Sequence, residues 1–395
     1  MDTAISSARY TYRLRVGSAA ERLLQSEWDR CRWVWNQCVA EARAAYQRGE
    51  KIGPATLDKM CTGWRATREW LRAGASMPQR QIIRDFGKSR AKAIKDIAEK
   101  IPMRRRAGMP DFKRKNLAEP SLNYTRNGFR LKDHKLNLVG HITVNLVWSR
   151  ELPSVPSSVR VYRDSLGHWY ASFVVQPQVQ PLPKTGGVLG VDWGVKDIAT
   201  TTSDDHDLPH PGFGKKTAAE LAAVDKAVSR RRRPKGQLRS NGYLQAKKRR
   251  ARLLKKVSRQ RQDYARKWAK KVVRDHDCLA VEDFRPKFLA RSTMAKKAAD
   301  AAIAATKQAL IDMGHKHGRT VLLVHPAHTT MDCGQCGARA KHALPLGERM
   351  YTCTACGAVS PRDKNSARVM LNRAGLNPDG ADRRRPVQSP TGKAV

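Results

Sequence analysis

Acidic residues are scarce in this sequence. Its 395 residues include 35 Asp and Glu against 77 Lys and Arg, a formal net charge of +42. Such an excess makes a free chain repel itself and calls for a polyanionic partner. The cations are spread along the chain and interleaved with apolar residues, which indicates folded nucleic-acid-binding surfaces rather than one disordered tail.

Long hydrophobic runs are missing as well. No apolar stretch approaches the ~20 residues of a membrane-spanning helix, and the N-terminus has no signal-peptide pattern. A membrane surface is therefore the weaker alternative, and we expect no membrane partner. Of only eight cysteines, four lie inside apolar patterns: Cys31, Cys38, Cys61 and Cys278. These four are predicted to be reduced core residues of a cytoplasmic protein.

The N-terminal half alternates between strand and helix patterns. Residues 9–16 and 119–176 contain apolar residues at every second position, between Gly, Asp and Pro, which predicts antiparallel strands. Helical spacing predicts helices over 19–48, 54–73 and 78–101. We therefore expect a small β-barrel that the first strand joins, with the helices inserted between its strands. Trp28, Trp33 and Trp35 are predicted to pack a helical core, with nucleobase stacking as the alternative.

After a predicted linker over 177–187, the pattern of the C-terminal half is typical of an α/β domain. Short apolar strands are predicted at 188–192, 278–282 and 320–325, between helical stretches at 217–233, 243–276 and 292–318. Residues 243–274 contain 14 Lys or Arg and one acid. Leu253, Val257, Tyr264, Trp268 and Val272 form an apolar stripe on this segment. A last helix is predicted at 363–374, followed by a disordered tail at 375–395.

Two Cys-x-x-Cys pairs follow the last predicted strand. Cys333 and Cys336 are separated by 16 residues from Cys353 and Cys356. Each pair can bind one side of a tetrahedral zinc ion while the intervening segment returns as a hairpin. The sequence therefore predicts one structural Zn²⁺ in a ribbon over 331–356.

Three acids stand out in this basic chain. Asp192 and Glu282 each end a buried strand, and Asp363 opens a helix just behind the ribbon. Acids at strand ends and helix starts converge readily at the edge of an α/β sheet. Together they could hold two Mg²⁺ ions about 4 Å apart, which suits phosphodiester hydrolysis.

Each acid also has a simpler interpretation. Asp192 could be a turn residue, Asp363 a helix N-cap, and Glu282 the partner of a nearby arginine. The spacing does not exclude other acids, namely Asp197, Asp204, Asp205 and Asp283.

Several motifs carry a resemblance to a known family. They are Cys31-Arg-Trp-Val-Trp-Asn36, Gly108-Met-Pro-Asp-Phe-Lys113, Gly190-Val-Asp-Trp-Gly194, Val281-Glu-Asp-Phe284, His325-Pro-Ala-His-Thr-Thr330, the four cysteines and Arg362-Asp363-x-Asn365. With them, the chain resembles TnpB, the transposon-encoded RNA-guided nuclease, and the compact type V CRISPR effectors. The family often has an acid where this chain has Pro361. Residues 292–323 and the ribbon look like those of actinobacterial members.

The resemblance implies a multidomain α+β architecture. A wedge-like β-barrel domain would comprise residues 1–18 and 102–180, with a helical recognition domain, 19–101, inserted in it. An RNase H-like RuvC nuclease domain, 181–330 and 357–374, would contain the zinc ribbon and precede the tail. By motif, the family's catalytic, magnesium-binding acids fall on Asp192, Glu282 and Asp363.

The implied function is RNA-guided DNA cleavage. A structured guide RNA would pair with one strand of a double-stranded DNA target beside a short motif that the protein reads, and one RuvC site would cut the DNA. An A-form heteroduplex is held through its backbone, which suits a surface rich in Lys and Arg. The candidate nucleic-acid contacts are Arg104, Arg105, Arg106, Lys113, Lys115, Lys247, Lys248, Arg249 and Arg250.

Three other functions compete with this one. A guided repressor would bind DNA without cutting, but it would be expected to have lost acids. A transposase would need a different catalytic set, and a zinc-ribbon DNA-binding or transposase accessory protein would not depend on the acids. We expect a bacterial cytoplasmic protein that joins the nucleoid when on target, and a monomer, with a dimer as the alternative.

Overall fold

The computed structural model describes residues 7–115, 117–234, 237–284, 293–342, 344–345 and 347–376. It divides into two compact units, Met1–Gln178 and Val179–Val395. Most of the predicted tail, residues 377–395, lies outside the described residues. None of the described helices has the length and apolar character needed to cross a membrane.

The first unit contains seven strands and four helices in its described part. They are β1 (Ala8–Arg15), α1 (Ser18–Gln47), α2 (Pro54–Thr67), α3 (Glu69–Arg72), α4 (Ser76–Ala98), β2 (Ser121–Thr125), β3 (Phe129–Lys132), β4 (Lys135–Leu138), β5 (Ile142–Val147), β6 (Ser158–Arg163) and β7 (Trp169–Val175). The predicted helix at 54–73 is two helices, because Arg68 has extended backbone angles, φ −127° and ψ 103°. The Arg65 guanidinium stabilises this break by donating to the carbonyls of Leu71, Arg72 and Gly74.

The seven strands form one antiparallel sheet in the order β2-β6-β7-β1-β5-β4-β3. Its two edge strands, β2 and β3, are consecutive in the chain and are joined by the short turn Arg126–Gly128. Because so few residues connect opposite edges, the sheet must curl into a nearly closed barrel. The first strand joins this sheet, as predicted, and lies at its centre.

Helices and barrel of the first unit share one hydrophobic core. Trp28, Cys31 and Trp35 lie on one face of α1 and are buried, as the helical spacing predicts. They belong to the same cluster as Tyr124 and Phe173 of the barrel. Trp33 lies at the edge of this core, where its ring makes perpendicular contacts with Trp64 and Trp70.

The second unit is α/β. Its elements are β8 (Val188–Trp193), β9 (Asp197–Thr201), β10 (Leu208–Pro209), α5 (Phe213–Lys216), α6 (Ala218–Arg230), α7 (Asn241–Asp275), β11 (Cys278–Glu282), α8 (Ala295–Ala301), α9 (Ile303–Lys316), β12 (Thr320–Val324), β13 (Met350–Thr352), β14 (Val359–Pro361) and α10 (Arg362–Arg373). The predicted helix at 292–318 is interrupted at Ala302, which has a φ of 52°.

A five-stranded sheet in the order β10-β9-β8-β11-β12 forms the centre of the second unit. The strands β8, β11 and β12 are parallel, and β9 and β10 extend the sheet as antiparallel neighbours. Trp268, Val272 and Val257 of the predicted stripe on α7 are buried. The segment predicted as a linker is bound to this unit instead, because the Thr185 backbone N–H donates to Asp277 and the Gln180 N–H to the Lys316 carbonyl.

Candidate active site and metal centre

Asp192 and Glu282 lie side by side near the ends of two parallel strands. Val191 of β8 is in register with Val281 of β11, so the next residue on each strand is one of these acids. Residues in register share a face of a sheet, so both carboxylates project to the same side. The Trp193 backbone N–H donates to Glu282 Oε2 at 3.1 Å, and its indole Nε1 donates to the Glu282 carbonyl at 3.0 Å.

A glycine brings the third acid to this face. Gly190 lies two residues before Asp192 and so shares its face of the sheet. A Cβ at this position would overlap the carbonyl oxygen of Ala367 in α10 and lie 3.1 Å from Leu371 Cγ. Only glycine therefore allows α10 to lie directly on β8. Asp363, in the first turn of that helix, approaches Asp192 closely enough to affect its ionisation.

The electrostatics of the three acids show a concentration of negative charge. Burial raises the pKa of Asp192 well above its usual range, and the charges of Glu282 and Asp363 raise it further. Burial also raises the pKa of Glu282 from 4.5 to about 7, against the lowering effects of the Trp193 N–H and of Lys307. Ionising such a group is unfavourable unless a cation compensates its charge.

The simpler interpretations of the three acids do not agree with the contacts. Asp192 lies within β8, before the turn that joins β8 to β9. Pro361 occupies the N-cap position of α10 and no side chain caps the helix, so Asp363 is not the N-cap. Glu282 accepts its hydrogen bond from the Trp193 backbone, and within the described residues no arginine pairs with it.

Two of the competing acids have cationic partners, and a third lies further along its strand. Asp283 pairs with Lys307 at 2.8 Å, and Asp204 pairs with Lys364 at 2.6 Å. Asp197 begins β9, three residues before Thr200, the strand partner of Asp192. Asp197 therefore lies about 10 Å along β9 from Thr200, the residue opposite Asp192.

Lys364 makes contacts beside the acids that the sequence did not indicate. It follows Asp363, is largely buried, and donates to the Thr201 carbonyl at 2.9 Å while pairing with Asp204 and with Asp207 at 2.8 Å. These contacts attach the first turn of α10 to the loop after β9. The only sequence signal was its position beside Asp363, since its partners are more than 150 residues away.

The four cysteines form one compact cluster. Among the residues that the structure describes, they are the only group of three or more Cys, His, Asp or Glu with ligand atoms all within 4.8 Å of one another. Cys333 Sγ lies 3.8 Å from Cys356 Sγ, and Cys336 Sγ lies 3.6 Å from Cys353 Sγ. A zinc ion with Zn–S bonds of about 2.3 Å requires S···S separations of about 3.8 Å. The cluster therefore suits a structural zinc ion.

Both cysteine pairs use the same turn. The N–H groups of Gly337 and Gly357 donate to the carbonyls of Cys333 and Cys353, and both glycines have left-handed φ values, 75° and 73°. The backbone N–H of Cys356 lowers the pKa of the Cys353 thiol to about 6, whereas, against the lowering effect of the Ala338 N–H, burial and hydrogen bonds from the other thiols raise the pKa of Cys336 to about 12. β13 and β14 form a hairpin that encloses the second cysteine pair, whereas the spacing predicted a hairpin in the segment between the two pairs.

The remaining cysteines are free thiols, as predicted. Cys31, Cys38 and Cys61 are buried and Cys278 is partly buried. Burial raises the pKa of Cys38 to about 12, so this thiol is an unreactive core residue.

The basic loop before β2 contains cations of two kinds. Arg104, Arg105 and Lys115 are exposed and Arg106 is partly buried. Lys113 differs, because its ammonium lies 4.0 Å from the centre of the Trp35 ring and its backbone exchanges hydrogen bonds with Asn36. Burial lowers the pKa of Lys113. This lysine therefore packs the loop on α1, and it is the weakest nucleic-acid candidate of the loop.

The candidate cations of α7 are all exposed, but two of them have acidic partners. Arg249 pairs with Glu220 at 3.1 Å and Arg250 with Asp225 at 2.6 Å, both on α6. Lys247 lies 5.9 Å from the Tyr243 ring centre. Exposed pairs of this kind contribute little stability, so a phosphate could replace the acid as partner.

Three family models match separate segments of the chain. Residues 172–293 match OrfB_IS605, described as "Probable transposase", and residues 305–370 match the "Cas12f1-like, TNB domain". Residues 6–51 match a "Helix-turn-helix domain". The first segment contains Asp192 and Glu282, and the second contains the four cysteines and Asp363.

Two curated relatives align over most of the chain. The "Putative RNA-guided DNA endonuclease" of Streptomyces pristinaespiralis is 27% identical over 348 residues, covering 86% of this chain and 82% of that protein. The "Putative RNA-guided DNA endonuclease InsQ" of Escherichia coli K12 is 25% identical over 392 residues, covering 92% and 91%. The matched segments and both relatives show that the chain resembles TnpB proteins and compact type V effectors. The chain also matches the protein of the "Cas12f1-sgRNA-target DNA complex" with a TM-score of 0.54 and 13% identity, over 94% of this chain and 99% of that one, which indicates a shared fold.

Proposed function

We propose that this protein is an RNA-guided DNA endonuclease that cleaves phosphodiester bonds at the centre formed by Asp192, Glu282 and Asp363. The observation that carries the proposal is their convergence: two neighbouring strand ends and the first turn of α10 bring three acids together in a chain of formal charge +42. A phosphate-binding protein gains nothing from such acids unless they bind cations. The names of both curated relatives support guided cleavage.

The three acids fit divalent cations with oxygen ligands. The raised pKa values of Asp192 and Glu282 indicate negative charge that no neighbouring cation fully compensates. Mg²⁺ prefers carboxylate oxygens and retains several waters. A pair of such ions, when bound, would supply an activated water molecule and charge stabilisation for the leaving 3′ oxygen.

The chain's own residues would orient this centre. Glu282 is held by the Trp193 N–H, which directs one carboxylate oxygen and leaves the other for a metal ion. Asp363 would be oriented by its place in the first turn of α10, the helix that Gly190 allows to lie on β8. The four cysteines would hold one structural Zn²⁺.

The domain assignment and the partners belong to the same proposal. The first unit would contain the wedge-like barrel and the recognition helices, and the second unit the RuvC-like nuclease and the ribbon. Guide RNA and double-stranded DNA would be the partners, with exposed cations of the basic loop and of α7 contacting their backbones. Because the double-stranded DNA target would be a bacterial chromosome or plasmid, the reaction would take place in the bacterial cytoplasm.

Guided action is tested by purifying the protein from its native locus and sequencing the RNA that accompanies it. We expect one discrete RNA with a variable 3′ segment. A segment that follows a CRISPR repeat would indicate a type V effector, and one that follows a transposon end would indicate a TnpB. Recovery of no specific RNA would contradict guided targeting and would favour the simple zinc-ribbon DNA-binding protein.

A further inference from the structure

One buried amide, at Asn365, attaches the first turn of α10, which carries Asp363, to the first cysteine turn. Asn365 is 3% exposed. Its Nδ2 donates to the Asp332 carbonyl at 2.8 Å, and its Oδ1 accepts from the Gly334 N–H at 2.8 Å. Asp332 and Gly334 flank Cys333, so a single side chain binds the backbone on both sides of a zinc ligand.

The contact between α10 and this turn extends along the helix. A Cβ at Gly334 would lie 2.6 Å from Arg368 Cβ and 3.0 Å from the Asn365 carbonyl oxygen, so glycine is needed for the close approach. Asn372 donates to the Gly334 carbonyl at 2.6 Å. Arg373 pairs with the Asp332 carboxylate at 2.6 Å. The turn therefore packs on three successive turns of α10.

A second set of contacts holds α10 against the five-stranded sheet. Lys364 attaches the first turn of α10 to the loop after β9, and Gly190 allows the helix to lie on β8. Asp363 directly precedes Lys364, which binds the loop after β9, and Asn365, which binds the first cysteine turn. A shift of either structure would move Asp363 relative to Asp192.

We propose that the zinc-bound turn positions Asp363 through Asn365, so that zinc binding at the cysteines increases divalent-cation affinity at the acids. The inference rests on the proposed function, because it assigns Asn365 as a positioning residue for that same metal centre. When zinc is absent, Cys333 is no longer tied to the other three cysteines. The backbone that Asn365 binds then loses its fixed geometry, and the first turn of α10 loses its attachment to the first cysteine turn.

The variant Asn365→Ala tests this coupling in the full chain with its RNA. It leaves the Gly334 N–H and the Asp332 carbonyl without their partner while keeping all four cysteines. We expect one equivalent of zinc by elemental analysis, unchanged RNA binding, and Mn²⁺ affinity, measured by electron paramagnetic resonance, lower by about tenfold or more. The turnover number should fall while the KM for target DNA stays the same. Arg368→Lys, at an exposed position of the same helix, is the matched control and should keep wild-type Mn²⁺ affinity.

A second experiment tests the same coupling by removing zinc from the wild type and from the variant. Removing zinc with a chelator, followed by dialysis and addition of Mn²⁺, should weaken Mn²⁺ binding in the wild type and have little further effect in Asn365→Ala, because both changes break the same connection. Additive losses, or wild-type Mn²⁺ affinity in the variant, would overturn the proposal.

Hydrogen exchange keeps the test decisive if the variant does not fold. On zinc withdrawal from the wild type, amides in the first turn of α10 should lose protection while those of β8 and β11 keep theirs. Unchanged protection of α10 would refute the coupling without any variant. A wild-type protein that binds Mn²⁺ with zinc-dependent affinity yet cuts no guided target would instead refute the proposed function.

Discussion

Replacing Glu282 by Gln should stabilise the metal-free protein, and the gain should grow with pH. The substitution keeps an oxygen that can accept from the Trp193 N–H at nearly the same volume. It removes a carboxylate that is 6% exposed and whose pKa burial raises from 4.5 to about 7. The predicted gain comes from removing the free energy needed to ionise that buried group.

The magnitude follows from linkage between ionisation and folding. Below pH 4.5 the carboxyl is protonated in both the folded and the unfolded chain, so it contributes no pH dependence. As pH rises toward 7, the unfolded chain ionises but the folded chain does not, and the folded state loses stability. Each pKa unit corresponds to about 1.4 kcal/mol, so the penalty is about 1 kcal/mol at pH 5.5 and about 3 kcal/mol at pH 8.5.

Hydrogen exchange of β8 and β11 amides measures this stability locally, which avoids assuming two-state unfolding of a two-unit chain. The variant and the wild type are compared at each pH, so that intrinsic exchange rates cancel. Asp197→Asn, which removes a nearby acid outside the centre, is the control and should show no such trend. Addition of Mg²⁺ should stabilise the wild type and have much less effect on Glu282→Gln.

Two results would refute this reasoning. If Glu282→Gln destabilised β8 and β11 at pH 8.5, the carboxylate would be stabilising in the metal-free protein and its pKa would not be raised. If the gain were equal at pH 5.5 and pH 8.5, the effect would come from packing rather than from ionisation.

Four further perturbations have definite expected outcomes. Cys353→Ser should lose zinc by elemental analysis and lower the melting temperature; unchanged zinc content would contradict the ribbon. Gly190→Ala should destabilise the second unit by about 1–3 kcal/mol in urea unfolding, because its Cβ overlaps the Ala367 carbonyl; wild-type stability would mean that α10 lies further from β8. Lys364→Met should lower cleavage by about tenfold with RNA binding intact, and equal cleavage would exclude it as an anchor. RNA affinity should fall by roughly 10³ between 50 and 200 mM salt, and a flat dependence would contradict the charge argument.

Local sequence patterns predicted the elements that local physics determines. The spacing of Trp28, Cys31 and Trp35 predicted the buried face of α1. The Cys-x-x-Cys spacing predicted the four-cysteine cluster. Asp192 and Glu282 were recognised because they end apolar strands in a basic chain, and Asp363 because it opens a helix just behind the cysteines. Register then places Asp192 beside Glu282, a relation that follows once the two strands are parallel neighbours.

Other features depend on contacts between distant segments and could not be read from periodicity. The break at Arg68 follows from carbonyls that Arg65 binds on the far side of the turn. The segment around Thr185 resembles a linker by composition, but Asp277 binds its backbone. Lys364 and Asn365 look like ordinary helix residues, and only their partners in the folded chain reveal that they hold Asp363 in place.

The central claim is that the three acids form the centre of a guided nuclease. Its most direct test loads the protein with guide RNAs of chosen sequence and measures Mg²⁺-dependent cleavage of matched and unmatched plasmids by the wild type, Asp192→Ala and Asp197→Asn. The account predicts that cleavage follows the guide, disappears in Asp192→Ala with target binding retained, and persists in Asp197→Asn. Guided cleavage by Asp192→Ala at the wild-type rate would contradict it.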